Sequence, residues 1–190
     1  MTNMVLNIMV LFSILGGIDR LIGNKYGLGE KFEEGFKGEP MINSWSTIET
    51  YTSKEGIESD VVSWKGSTLQ LILNKKAVDT LGDLIEGQVE ILPLKHTSES
   101  YYAINVINLI DCIDYENSES NKWERIVKWA FIEDKVKNQH IFRAVQTKHN
   151  LGDFPIISVE TFISDELKQR IESSGLKGFS ISPVWASDPK

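Results

Sequence analysis

Residues 68–94 read TLQLILNKKAVDTLGDLIEGQVEILPL, and this run decides the fold class. Leu69, Leu71 and Leu73 alternate with Gln70 and Ile72, the pattern of a strand. Asn74 follows as a residue that can accept a backbone N–H and start a helix. Ala77, Val78, Leu81, Leu84 and Ile85 then fall at helical spacing and form one apolar stripe. Gly87 is a suitable stop, because a glycine takes the left-handed turn that closes a helix at little cost. Val89 and Ile91 open a second strand that runs to Leu94, with Pro93 tolerable only near its end or at a sheet edge.

A similar pattern returns ninety positions later. Phe162 and Ile163 end a strand, Ser164 caps, and Asp165 and Glu166 suit the positive end of a helix dipole. Leu167 and Ile171 make a thinner stripe, Gly175 stops it, and Phe179 and Ile181 alternate before Pro183. At this offset Asn74 matches Ser164, Leu81 matches Ile171, and Pro93 matches Pro183. Between these runs, residues 101–113 read as one long strand and 114–122 as a polar loop. Residues 125–132 read as a central strand covered on both faces, 133–139 as a charged turn, and 140–146 as another strand. The expected fold is therefore α+β: a mixed, mainly antiparallel β-sheet with a few packed helices, including two similar strand–helix–strand units.

With 190 residues, 41% hydrophobic and 25% charged, the chain is sized for one ordinary globular core. Residues 4–18 are strongly apolar. That is short of the roughly 20 residues a membrane helix needs, and the flanks lack a signal peptide's basic start and small-residue cleavage site. Residues 1–22 are thus expected to pack, as a strand or helix, on a single domain spanning 23–190, which opens with a glycine-rich loop at 23–38.

Net charge is −7, which disfavours nucleic acid and anionic membrane as partners and favours a basic protein. One cysteine, Cys112, excludes an internal disulfide framework and reads as a buried thiol. No phosphate-binding loop, nucleophile turn or paired metal-ligand spacing occurs, so no catalytic residue, metal or cofactor is assigned. Asp111, Asp114, Glu116, Glu119 and Glu124 crowd one segment beside Trp123. They make it the candidate partner-binding patch, with Trp123 as an indole anchor. Trp123 and Trp185 are the tryptophans expected at the surface. The residues are also compatible with a small-ligand-binding or scaffold domain. A small acid–base enzyme using the carboxylates with His140 or His149 is a further alternative.

Several blocks, in order, resemble a known family. Residues 71–81 (LILNKKAVDTL), 89–94 (VEILPL), 101–111 (YYAINVINLID), 140–143 (HIFR), 162–167 (FISDEL) and 175–179 (GLKGF), with Pro183 to Trp185 closing, are similar to bacterial immunity proteins of polymorphic toxin systems. The group is known as immunity family eleven and was formerly a domain of unknown function. The resemblance spans roughly residues 32–185. It implies a cytoplasmic protein, not an enzyme, that binds a cognate secreted toxin and occludes its active domain. The family supplies no catalytic or interface residues to carry over, and residues 4–18 do not resemble its usual opening.

Overall fold

In the computed structural model, which describes residues 9–16, 21–24, 36–54, 56–64, 67–151 and 154–187, the two longer helices start on the side chains expected to cap them. Asn74 Oδ1 accepts the Ala77 N–H at 2.9 Å, opening α1 (Lys75–Ile85). Ser164 Oγ accepts the Leu167 N–H at 3.2 Å, opening α3 (Asp165–Ser173). Gly87 and Gly175 follow these helices at φ +72° and +65°, the left-handed region that glycine enters freely. Between them, α2 (Glu133–Val136) is a single helical turn.

The strands of the described residues form two larger bodies. Strands β2 (Leu21–Asn24), β3 (Ile48–Lys54), β4 (Val61–Trp64), β5 (Ser67–Asn74), β6 (Val89–Lys95) and β7 (Tyr101–Val106) close a barrel in the order β2-β3-β6-β7-β5-β4. An open sheet runs β12-β11-β13-β1-β14, built from β12 (Phe154–Ile157), β11 (Ile141–Leu151), β13 (Thr161–Ser164), β1 (Val10–Gly16) and β14 (Phe179–Ala186). The two-residue strand β8 (Leu109–Ile110) joins β11 in parallel. The architecture is mixed α+β with mainly antiparallel pairing.

Each long helix connects two strands that leave a space between them. β7 fills the space between β5 and β6, antiparallel to both. β1 fills the space between β13 and β14, again antiparallel to both.

Strict alternation divides the apolar residues among three cores. Val62, Trp64, Ile72, Leu92, Leu94, Tyr101 and Ala103 fill the barrel. Their neighbours Val61, Leu71, Leu73, Ile104 and Val106 face outward and meet the buried faces of α1 and α3 together with Phe12, Ile14 and Ile163 of the sheet. The opposite face of the sheet carries Leu11, Phe142, Ala144 and Phe162, over which residues 112–136 fold as a lid.

That lid departs from the sequence expectation. Residues 101–113 are not one strand: β7 ends at Val106, where the Ile107 and Asn108 N–H groups both donate to the Gln88 carbonyl at 3.1 Å. Residues 125–132 are not a central strand either. Ile126–Lys128 (β10) pairs with Glu119–Ser120 (β9) in a two-stranded ribbon, and Phe131 makes an isolated antiparallel bridge to Ile113. Ile126, Trp129 and Phe131 pack into one core and Ala130 is buried beside them, while Val127 is 61% exposed and Ile132 is exposed too. The expected turn at 133–139 contains α2, whose Val136 is buried. The loop at 114–122 holds β9. Most of the glycine-rich stretch at 23–38 lies outside the described residues.

Candidate partner-binding surface

The lid is anchored from below by aromatic packing. Phe131 sits edge-on to Phe162, Phe142 and Trp185, with centroids 5.1, 5.9 and 5.8 Å away, and stacks on Trp129 at 5.9 Å. Trp129 in turn meets Phe162 at 4.9 Å. Trp185 is therefore half-buried against this cluster rather than free at the surface. Backbone bonds stitch the edges: Ile132 N to Cys112 O at 2.8 Å and Asp114 N to Ala130 O at 2.9 Å.

Above this base stands the β9–β10 hairpin. Asn121 builds its tip, accepting the Trp123 and Arg125 N–H groups on Oδ1 at 2.9 and 3.2 Å. Glu124 adopts φ 60° to complete the turn. The result presents Trp123, 69% exposed, with Val127 and Ile132 also exposed, on one short segment of chain. Such large apolar groups held outward on a packed aromatic base are what an interface anchor requires.

The carboxylates expected to line this patch have more mixed surroundings than their spacing suggested. Asp114 turns inward on its own loop, accepting from the Asn117 side chain at 2.7 Å and the Glu116 N–H at 3.0 Å. Those bonds, the Asn117 amide foremost, hold its carboxyl below the usual range. Glu119 pairs with Lys128 at 2.6 Å, and Asp111 lies 3.8 Å from Lys135. Lys122 rests over the Trp123 ring, 4.2 Å from its centroid. Glu116 and Glu124 are exposed. The six predicted residues thus keep separate local partners along residues 111–124, and Lys122, Arg125, Lys128 and Lys135 are interleaved with or paired to them. Sequence reasoning passed over these cations and over Val127. The signal was present in the run NKWERIVK, where basic and apolar residues alternate.

Elsewhere, titratable groups are engaged in holding the fold. His140 Nδ1 lies 3.1 Å from Ser164 Oγ and 3.9 Å from Glu166 Oε2, while that hydroxyl caps α3. The His149 side chain lies outside the described residues. Glu90 borders an open cleft of about 530 Å³ with Ile42, Gly82, Ile85, Val89 and Ile91. Burial raises its carboxyl, but the Met41 and Ile42 N–H groups and the Asn105 amide outweigh this and hold it below the ordinary range. Cys112 is fully buried. Among the described residues no cluster of His, Cys, Asp and Glu could hold a metal ion, and no helix is long and apolar enough to cross a membrane.

Comparison with known proteins divides the chain. A model of the immunity protein family Imm11 matches residues 88–185, which include the whole lid. A second model, of the ethanolamine utilisation protein EutH, matches residues 1–42. Over 31 residues the chain is 61% identical to the probable ethanolamine permease EutH of Listeria monocytogenes serotype 1/2a (strain 10403S); the stretch is 16% of this chain and 8% of that permease.

Proposed function

Because this chain belongs to the Imm11 immunity protein family, we propose that it binds a cognate bacterial toxin in the cytoplasm and covers its active surface. The observation that supports a location is the hairpin at 119–128, inside the family match, which lifts Trp123 and Val127 off an aromatic base. A buried indole dominates many interfaces, and surrounding polar groups serve mainly to exclude water and fix register.

Asp111, Asp114, Glu116, Glu119 and Glu124 belong to the rim of this contact, alongside the lysines. A partner that meets both signs of charge suits the hairpin, while the net −7 of the chain favours a basic one on approach. An interface of about 1,600 Å² would centre on Trp123. No turnover is assigned to the protein, whose folded surface is the working part.

Co-expression with the toxin encoded beside it tests the reading. Cells carrying both genes should survive, and equal killing with and without this protein would end the proposal. For the location, Trp123→Ala should weaken toxin binding by about 30-fold or more, the scale of an anchor worth about 2 kcal/mol. Unchanged affinity in that variant and in Val127→Asp would move the interface elsewhere.

A further inference from the structure

The second helical unit lacks a middle strand of its own. α3 carries the chain from β13 to β14, which lie parallel with a one-strand space between them, as α1 carries it from β5 to β6. In the first unit the next strand along the chain, β7, folds back into that space. In the second unit the space is filled from the far end of the sequence, by Val10–Gly16. The Imm11 match takes in β13 and β14 but not this strand, which falls in the part of the chain resembling a permease.

We propose that Val10–Gly16, although it lies in the part of the chain matched by the EutH model, works here in cis as the obligatory middle strand of the sheet, which makes it unavailable to a bilayer. The described apolar side chains of the strand all enter a core, Val10 packing against the one shared with the helices. Phe12 and Ile14 enter the core shared with α1 and α3, and Leu11 enters the opposite core beside Phe142 and Phe162. Lys168 of α3 lies over the Phe12 ring at 5.1 Å. The strand pairs with both neighbours over Leu11–Ile14, and Ser187 clasps its start, its N–H donating to Met9 O at 2.8 Å and its Oγ accepting the Met9 N–H at 2.9 Å. Withdrawing it into lipid would leave two strand edges unpaired and open two cores at once. Tertiary pairing of this kind overrides whatever conformation the same residues take in another chain.

The strand register supplies the test. Ser13 lies directly opposite Ser182 of β14. Opposed antiparallel residues place their Cα atoms about 4.5–5.5 Å apart, within reach of a disulfide. In the full chain, Ser13→Cys with Ser182→Cys should close an intramolecular disulfide when copper–phenanthroline takes up the two thiol hydrogens and electrons. The off-register pair Ser13→Cys with Ser180→Cys should stay reduced. Adding vesicles of phosphatidylethanolamine and phosphatidylglycerol should change neither result. Free thiols in the matched pair, bonds only between two chains, or flotation of the protein with the vesicles would each overturn the proposal. Hydrogen exchange on the unaltered chain guards against a misfolded variant. The Leu11 to Ile14 amides should exchange as slowly as those of Phe142 and Ile163, and exchange at free-peptide rates would overturn it equally.

Discussion

Arg170 of α3 reaches across to Asp83 of α1, with Nη1 2.9 Å from Oδ1 and Nη2 3.2 Å from Oδ2, while the same Nη1 donates to the Thr80 carbonyl at 3.1 Å. The pair ties the crossover helix of one strand–helix–strand unit to that of the other. Its fork geometry is favourable, but both groups are open to water, so the contribution is small and screened by salt.

The pH dependence follows from the direction of the Asp83 shift. The Arg170 hydrogen bond, ahead of opposing burial and the added Coulomb attraction, holds this carboxyl below its ordinary value. A carboxyl lowered in the folded state stabilises above the unfolded value of about 3.9, and that stability is lost as pH falls through the folded value. Urea melts of Asp83→Asn and the unaltered protein should differ slightly at pH 7, and the gap should narrow as pH falls below about 3.9. A gap that persists unchanged in acid would show that the pair contributes through packing instead.

Asp60 has a larger structural share. It is almost fully buried at the head of β4 and accepts the Lys177 N–H at 2.8 Å, the Asn74 amide at 3.1 Å and the Lys76 ammonium at 3.1 Å. It thereby joins the barrel, the start of α1 and the approach to β14. Burial pushes the carboxyl up, but the Lys177 N–H, Asn74 and Lys76 together bring it below the usual range. Asp60→Ala strands these donors and should cost about 2–3 kcal/mol in urea unfolding. Asp60→Asn, which keeps an acceptor, should cost less. Equal and negligible losses would mean that water replaces the carboxylate without penalty.

Local grammar was legible, and assembly was not. The stripe and caps of α1 and α3 follow from Asn74, Ser164 and the i, i+3, i+4 spacing of Leu81, Leu84 and Ile85, because these signals act within a few residues. Alternation at residues 125–132 misled, since a segment that drops Ile126, Trp129 and Phe131 into a core has the same hydrophobic rhythm as a two-sided strand. Barrel closure and the insertion of β1 depend on partners far away in sequence, which no short window contains. The candidate patch was proposed as a stretch of acidic chain beside Trp123. Its mixed charge was not legible there, because Lys135 and Lys128 reach the carboxylates only through the folded lid.

The lid also separates two tryptophans that composition treats alike. Trp129 is 8% exposed and lodged against Phe131 and Phe162, whereas Trp123 stands in solvent at the hairpin tip. Trp129→Ala should cost about 3–5 kcal/mol through the cavity it leaves. Trp123→Ala should change stability by less than about 0.5 kcal/mol. Denaturation midpoints measured side by side decide this, and similar losses at both positions would refute the assignment of a buried base and a free anchor.

Cys112 offers the last check on the lid, since it opens that segment and is buried in one core with Phe131, Val136 and Phe142, beside the Ile113–Phe131 bridge. Burial, then the nearby Asp111 charge, pushes the thiol up to about 12, with Lys135 opposing. A buried thiol at neutral pH is protonated and shielded, so an aromatic disulfide reagent should reach it only when the lid opens. If opening costs about 4 kcal/mol, labelling at pH 8 should run on the order of 1,000-fold slower than for a free cysteine. A raised folded pKa also fixes the sign of the alkaline response. The thiol's contribution is complete below the ordinary value of about 8.5 and is lost as pH climbs toward about 12. Labelling should therefore accelerate over that window by more than the thiolate fraction of a free cysteine accounts for. Prompt stoichiometric labelling of the folded protein at pH 8 would show that the lid is not closed on its core at Cys112, and the packed base assigned to the Trp123 hairpin would fall with it.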